Sequence, residues 1–456
     1  MTWSADGGRW HTRPSTASGP TDERRSPAAV STPTRHHRRV LPTIPPILTT
    51  VRRLALAASV AGGAACHAPG PSATPPEAAW LGTWATSQQL VEPGNLPPRP
   101  GLSGNTLRQV VHVSVGGARM RVRFSNVFGD GPLTIAVAAV APSLGDHRID
   151  AEAHRTLTFG GNPSVSIPAG RDTTSDAVPY ELAPLANVAI TTRFAAVPAA
   201  VTGHPGSRTT SYIQSGDALA APSLPASVPT VHWYVVAGVD VPARDGAASV
   251  VALGNSITDG RGSGTDRQNR WPDELARRLQ AESATRHVAV LNAGIGGNCV
   301  LRGCLGPSAL ARLDRDVLQA PGARWLIVLE GVNDIGQAKD AAQADSIASG
   351  LTAAYRQIVD RAHGRGLSVY GATILPFGGS FYHTPFREAA RASVNQWIRT
   401  SGTFDAVIDL DAAMRDPAHP SRLASVADGG DHLHPNEVGY RMMAAAVDLT
   451  LFTRGR

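Results

Sequence analysis

The hydrophobic pattern of this chain changes period near residue 247, and that change limits the fold more than any other feature. Beyond it, five short apolar runs at 250–253, 287–292, 325–330, 367–375 and 406–410 alternate with helix-like stretches. Those stretches lie at 272–282, 308–319, 341–363, 385–400 and 437–451. Apolar strands alternating with helices bury both faces of a parallel sheet, so residues 247–456 are expected to form an α/β domain. Residues 80–244 differ. Strand-like runs at 109–115, 118–124, 133–141, 156–159, 187–194 and 231–241 are separated by turn residues, with little helical periodicity. This reads as a preceding β-sandwich or jelly-roll-like domain. Gly116-Gly117 between the first two runs is the signal of a hairpin. Met120, Val122 and Phe124 alternate with Arg119, Arg121 and Arg123. The arginine row reads as a solvated sheet face or a seam to the next domain, and His112 as structural.

Composition bears mainly on partners and compartment. Nine arginines against Asp6, Asp22 and Glu23 in residues 1–53 account for the whole formal charge of +6. The remainder of the chain is neutral, so it carries no electrostatic signal for nucleic acid. Residues 1–50 are polar and aperiodic, expected to be disordered or an over-extended gene start. Arg52-Arg53 precedes a run of small apolar residues ending at Cys66. Residues 51–66 therefore read as a bacterial export signal, too short to span a membrane. Cys66 is the candidate lipidation site, although Gly63 stands where a lipoprotein signal usually has leucine. Residues 67–79, rich in Pro, Ala and Ser, read as a tether. The expected location is the cell surface as a lipoprotein, or the secreted or periplasmic space, with membrane contact only through that anchor. Cys299 and Cys304, with four residues between them, lack the further ligands of a metal site. In an exported protein they are expected to form a local disulfide that clamps the preceding glycine loop.

The chemistry-bearing residues fall at the carboxyl ends of the apolar runs, where open α/β sheets place their sites. The first run breaks at Gly254-Asn255-Ser256, where Ser256 is either a nucleophile or a helix cap. After the second comes Asn292-Ala-Gly-Ile-Gly-Gly-Asn298, and after the third Gly331-Val-Asn-Asp334. Ahead of the last helix stands Asp431-His-Leu-His-Pro-Asn436. Acyl transfer needs a hydroxyl nucleophile with a base beside it, an acid to orient the base, and donors for the oxyanion. His432 and His434 compete for the role of base. The Arg312, Asp314, Arg315, Asp316 cluster reads as a solvated or salt-bridged helix face. Trp271 and Trp325 read as core, and Phe377, Phe381, Tyr382 and His383 as a loop able to shape a pocket.

In order and position, the four segments resemble the motif blocks of the SGNH hydrolases, also called the GDSL esterase/lipase family. The resemblance covers residues 248–456. It implies a flavodoxin-like parallel sheet, no cofactor and no metal. It also implies Ser256 as nucleophile, His434 as base, and Asp431 as the acid orienting it. The oxyanion hole would comprise the backbone N–H groups of Ser256 and Gly297 and the side-chain amide of Asn333. One departure is Asn255, where the family has Asp, so any role for a charge at that position is lost. The implied function is an exported serine esterase acting on a small-molecule or polysaccharide ester, with short acyl groups such as acetyl on carbohydrate favoured by the layout. A lipase, lysophospholipase or arylesterase is the alternative within enzymes, and a non-catalytic carbohydrate-binding surface lipoprotein the alternative outside them. Oligomeric state cannot be read from these features.

Overall fold

The computed structural model describes residues 79–453. The expectations for residues 1–50, the export signal with Cys66, and nearly all of the tether fall outside the described residues.

The second half is a five-stranded parallel sheet in the order Val288–Gly294, Ala248–Gly254, Ala323–Leu329, Ser368–Ala372, Ala406–Ile408. This is the flavodoxin-like order, with the first strand, Ala248–Gly254, lying inside the edge strand and the strand order reversing beside it. Ala248–Gly254 is buried at every residue, so its apolar run is continuous rather than alternating. Two helices begin and end where the sequence places them. Ala341–His363 starts at Asp340, whose side chain accepts from Gln343 N–H, and Pro385–Thr400 starts at Thr384 with proline in its first turn.

Three boundaries differ from the sequence reading. The last helix, Glu437–Ala445, stops short of residue 451, because Asp448 caps a separate 3-10 turn over Leu449–Phe452. The 308–319 stretch is α-helical over Ala309–Leu313 and widens into a π-helical turn over Asp314–Leu318. The fourth strand ends at Ala372, since Asn395 Oδ1 accepts from Ile374 N–H at 2.7 Å and closes off the ladder.

The first half is an antiparallel sandwich. One sheet orders Trp80–Ala85, Val236–Pro242, Gly117–Ser125 and Asp172–Thr174, with Val178–Leu182 also on Gly117–Ser125. The facing sheet is centred on Thr106–His112, Asn187–Ala196 and Leu133–Pro142. Leu107 and Val111 of the latter pack in one apolar cluster with Met120, Val122 and Val239 of the former. The expected hairpin at Gly116-Gly117 does not form. Thr106–His112 and Gly117–Ser125 belong to opposite sheets, and the glycines carry the chain across. A Cβ on Gly116 would lie 2.1 Å from the Leu182 carbonyl oxygen, so only glycine makes that passage. Two arginines of the row, Arg121 and Arg123, clamp the buried Asp240 carboxylate at 3.1 and 3.2 Å.

This sandwich seals an exposed edge of the parallel sheet. Edge strands present unpaired backbone groups that invite aggregation. Here Ser114 Oγ accepts from Val290 N–H of the edge strand at 3.0 Å and donates to Thr83 O at 2.7 Å. Ser249 Oγ donates to Gly82 O, and Gly82 N–H donates to Pro321 O. Ala289 of the edge strand joins the apolar cluster of the sandwich. Ser114→Ala leaves the Val290 N–H buried and unpaired, so it is expected to cost roughly 1–3 kcal/mol of stability, read from denaturant unfolding with an unchanged m-value.

Candidate active site

At the end of Ala248–Gly254 the chain turns sharply into the one-turn helix Ser256–Asp259. The turn is tight because a Cβ on Gly254 would meet Thr258 Oγ1 at 2.1 Å. Asn255 caps it, its Oδ1 accepting from Ile257 N–H at 3.1 Å. Ser256 thus stands at the head of an interior strand, 6 % exposed. His434 arrives from the loop before Glu437–Ala445 and sets Nε2 2.9 Å from Ser256 Oγ. Its Nδ1 lies 2.7 Å from Asp431 Oδ2. Asp431 Oδ1 also accepts the backbone N–H groups of Leu433 and His434. The three-residue spacing therefore closes a local turn that aims the carboxylate at its own imidazole. His432, the competing base, points away. It is exposed, with Nδ1 2.5 Å from Asp428 Oδ2.

The two titratable members are shifted apart. Burial disfavours the Asp431 charge, but the bond and charge of His434 and two backbone N–H groups outweigh it and hold the carboxyl well below its usual range. Burial lowers His434, as do Arg261 and Arg208, against the opposing pull of Asp431. An ionised acid beside a neutral imidazole is the state that can take a proton from a hydroxyl at neutral pH.

The oxyanion candidates come from the next two strand ends. Gly297 has φ +68° and lies under Leu305, whose Cδ1 would be 2.8 Å from a Cβ there. Its N–H has no acceptor among the described residues. Asn333 sits in the turn Val332–Ile335, 4 % exposed. Its Nδ2 donates to Asn298 O at 2.7 Å, and its Oδ1 accepts from Tyr382 O–H at 3.0 Å. Those two bonds orient the amide and leave its second N–H free. The Tyr382 role was not legible in sequence, where the 377–383 loop offered only a general pocket wall. Of its other members, Phe377 is fully buried and Phe381 is 70 % exposed. Cys299 and Cys304 are disulfide-bonded. Asp334 accepts from Val300 and Leu301 N–H, so the loop after Gly297 is tied at both its bridge and its backbone.

Of the solvated or salt-bridged face expected at 312–316, the salt bridges form: Arg312 and Arg315 both pair with Asp316, and Arg361 pairs with the exposed Asp314. What differs is that Arg312 is not on the surface. Arg312 is fully buried beneath the site. It donates to Gly254 O and Ala293 O at two strand ends, to Asn298 Oδ1, to Ser87 Oγ of the sandwich, and to Asp316 and Glu330. The missed signal was position: Ala309, Arg312, Leu313, Asp316 and Val317 share one face at helical spacing, so Arg312 falls on the apolar stripe. Burial pushes the Glu330 carboxyl up to about 8, against the pull of Arg312. Asn255 Nδ2 donates to Glu330 Oε2 at 3.2 Å. That bond suits asparagine at this position, since an aspartate has no N–H to give to Glu330 Oε2 and would add a second buried carboxyl beside it. Among the described residues, no group of three or more His, Cys, Asp or Glu could hold a metal ion.

Residues 252–442 match the family model described as the GDSL-like lipase/acylhydrolase family. No curated protein matches the chain. Similar solved structures include a GDSL-like lipase from Bacteroides thetaiotaomicron, 19% identical, covering 43% of this chain and 84% of that one with a TM-score of 0.31. Another is an acetylxylan esterase from Geobacillus stearothermophilus, 20% identical, covering 47% of this chain and 100% of that one with a TM-score of 0.34.

Arg312→Met strands several buried acceptors and two carboxyls, and is expected to destabilise the protein by roughly 3–5 kcal/mol in denaturant unfolding. Asn255→Asp places a second carboxyl against Glu330, and the pair holds a proton that the unfolded chain releases above pH 4.5. With Glu330 at about 8 in the native state, wild type already loses stability as pH rises from about 4.5 to 8. The carboxyl pair of the variant keeps its proton past that point, so its stability should go on falling above about pH 8 where that of wild type levels off, read from denaturant unfolding at about pH 7, 8 and 9.

Proposed function

Residues 252–442 are a GDSL-like lipase/acylhydrolase domain and the protein is a carboxylic ester hydrolase; on that premise we propose that Ser256 is the nucleophile of an exported esterase that removes short acyl groups, acetyl foremost, from carbohydrate. The observation that carries this reading is the unbroken relay from Ser256 Oγ through His434 to Asp431, at 2.9 and 2.7 Å. In the proposed reaction Ser256 Oγ attacks the ester carbonyl as His434 Nε2 takes its proton. Asp431 holds the imidazole by Nδ1 and stabilises its charge. The oxyanion is received by the N–H groups of Ser256 and Gly297 and the free N–H of Asn333. His434 then protonates the leaving alcohol, and water activated by the same imidazole hydrolyses the acyl-enzyme.

Leu305 closing over Gly297 supports a small acyl group, because it narrows the space beside the oxyanion position. Phe381 favours the alternative of a lipase, lysophospholipase or arylesterase: it is an exposed ring 4.4 Å, centroid to centroid, from the Tyr382 that orients Asn333. Export is supported by residues 51–66 and by the Cys299–Cys304 disulfide, which persists in oxidising compartments. The lipid anchor at Cys66 rests on sequence alone. The reading as a non-catalytic binding lipoprotein is set aside for a chain with this family domain.

Hydrolysis of 4-nitrophenyl acetate, butyrate and octanoate separates the readings. The expected result is activity that falls with chain length and drops by about 10⁴-fold or more in Ser256→Ala. A preference for octanoate would move the assignment to the lipase. His434 must be neutral to act as base and lies below its ordinary 6.5, so the acid limb of kcat/KM is expected below pH 6.5.

A further inference from the structure

The site is flanked by two guanidinium groups that the ester chemistry leaves unused. Arg261 follows the turn that carries Ser256, and its N–H donates to Ser256 O at 2.9 Å. Its carbonyl accepts from the buried Tyr440 hydroxyl, and a Cβ on the next residue, Gly262, would lie 3.9 Å from His434 Cβ. Arg261 is thus held between nucleophile and imidazole, with its side chain exposed.

Arg208 comes from the sandwich, on the bend after Thr202–His204. Its backbone is left-handed at φ +50°, a conformation costly for a side-chain-bearing residue and concentrated at functional sites. The bend is braced onto the 261–270 loop. Asp266 N–H donates to Arg208 O, and Thr210 donates to both Asp266 carboxylate oxygens, each at 2.6 Å. Arg208 Nε is buried without a hydrogen-bond acceptor. Its charge, with that of Arg261, bears on His434.

The neighbouring carboxylates are already engaged. Asp431 serves His434, Asp259 serves His204, Asp273 serves Arg270, Glu437 faces Arg267, and Asp266 is held by Thr210. Arg208 and Arg261 have no ion-pair partner among the described residues. A guanidinium without a carboxylate partner, its Nε sealed in and its terminal nitrogens left to face outward from a bend braced on the 261–270 loop, is a receptor for an anion supplied from outside.

We propose that Arg208 and Arg261 form a subsite for a carboxylate carried by the substrate, so that the preferred ester is anionic, an acylated uronic acid unit in type. The carboxylate belongs on the alcohol side of the ester. The charge of both arginines bears on His434, which protonates the leaving alcohol, and the residue after Arg261 packs beside His434 Cβ, whereas Gly297 and Asn333 take the carbonyl oxygen. This rests on the esterase reading above, and the sandwich then contributes to substrate choice as well as to stability.

The test compares acetate release from an acetylated methyl galacturonoside and from its neutral acetylated methyl galactoside, with 4-nitrophenyl hemisuccinate against 4-nitrophenyl acetate as the acyl-side control. Wild type is expected to favour the uronoside by about tenfold or more in kcat/KM at low ionic strength, with the preference shrinking as salt is added. Arg208→Gln and Arg261→Gln are each expected to reduce that ratio by about tenfold, and Arg208→Lys to retain part of it. Thermal melting verifies that each variant is folded. A wild-type ratio near one, or a ratio unchanged by both variants, overturns the subsite. Charge dependence confined to the hemisuccinate overturns its placement on the alcohol side. Binding is read separately, as the rise in melting temperature of Ser256→Ala on adding methyl galacturonoside, and the loss of that rise when Arg208→Gln is combined with it. Absence of any Ser256-dependent hydrolysis sinks the esterase reading, whereas absence of the melting shift sinks the carboxylate subsite.

Discussion

A single buried guanidinium holds the working end of this protein together. Arg312 donates to carbonyls at the ends of two parallel strands, to the glycine-loop side chain Asn298, to the acid preceding the Asn333 turn, and to Ser87 of the sandwich. Where parallel strands end, carbonyls at the sheet margin need donors from outside the ladder; Gly254 O takes Ile295 N–H and Arg312 together, and Ala293 O, one residue before its strand ends, takes Arg312. One planar, five-donor cation meets both of them at once, and no apolar side chain could do so. Its burial is tolerable because Asp316 and Glu330 lie against it and nearly every donor is used. The three loops that present Ser256, Gly297 and Asn333 share this anchor, so their mutual geometry depends on it.

The sandwich is part of the same construction. It supplies Ser114 to the exposed edge of the parallel sheet and His204 to Asp259 in the Ser256 turn, at 2.8 Å. Gly206 approaches that Asp259 so closely that a Cβ would fall 1.9 Å from Oδ2. The Ser207 carbonyl takes a bond from Arg270, and Thr209 one from Gln268. The Ser256 turn is therefore gripped from below by the helix side and from above by the β region. A candidate site at such a junction can draw specificity from residues far from its motifs, as with the two arginines assigned to an anion.

Some of this was legible before any coordinates. The change of period near residue 247, the continuous apolar run that becomes Ala248–Gly254 and the helix-like stretches 341–363 and 385–400 are local properties, and each maps directly onto an element. Asp431 and His434 were readable for a related reason, because their bond closes within three residues. The hairpin at Gly116-Gly117 failed as an inference because glycine marks a sharp turn without saying which sheet receives the next strand. The 312–316 cluster is salt-bridged as one of its two readings had it, but the burial of Arg312 was not legible, because charge usually means solvent and only the helical stripe through Ala309, Leu313 and Val317 marks that position as internal. Tyr382 was hidden because its hydroxyl acts on a residue 49 positions away.

The sequence by itself determined the two architectures, the strand ends that carry chemistry, and the residue types gathered there, since hydrophobic period and turn chemistry act over a few residues. Only the tertiary structure decided that Asn333 is oriented by Tyr382, that Arg312 is an internal anchor, that Asn255 serves Glu330 as a donor, and that Arg208 reaches a site built by the other half of the chain. Each of these is a contact between segments distant in sequence whose energy comes from desolvation and hydrogen-bond geometry, and neither is set until those segments pack.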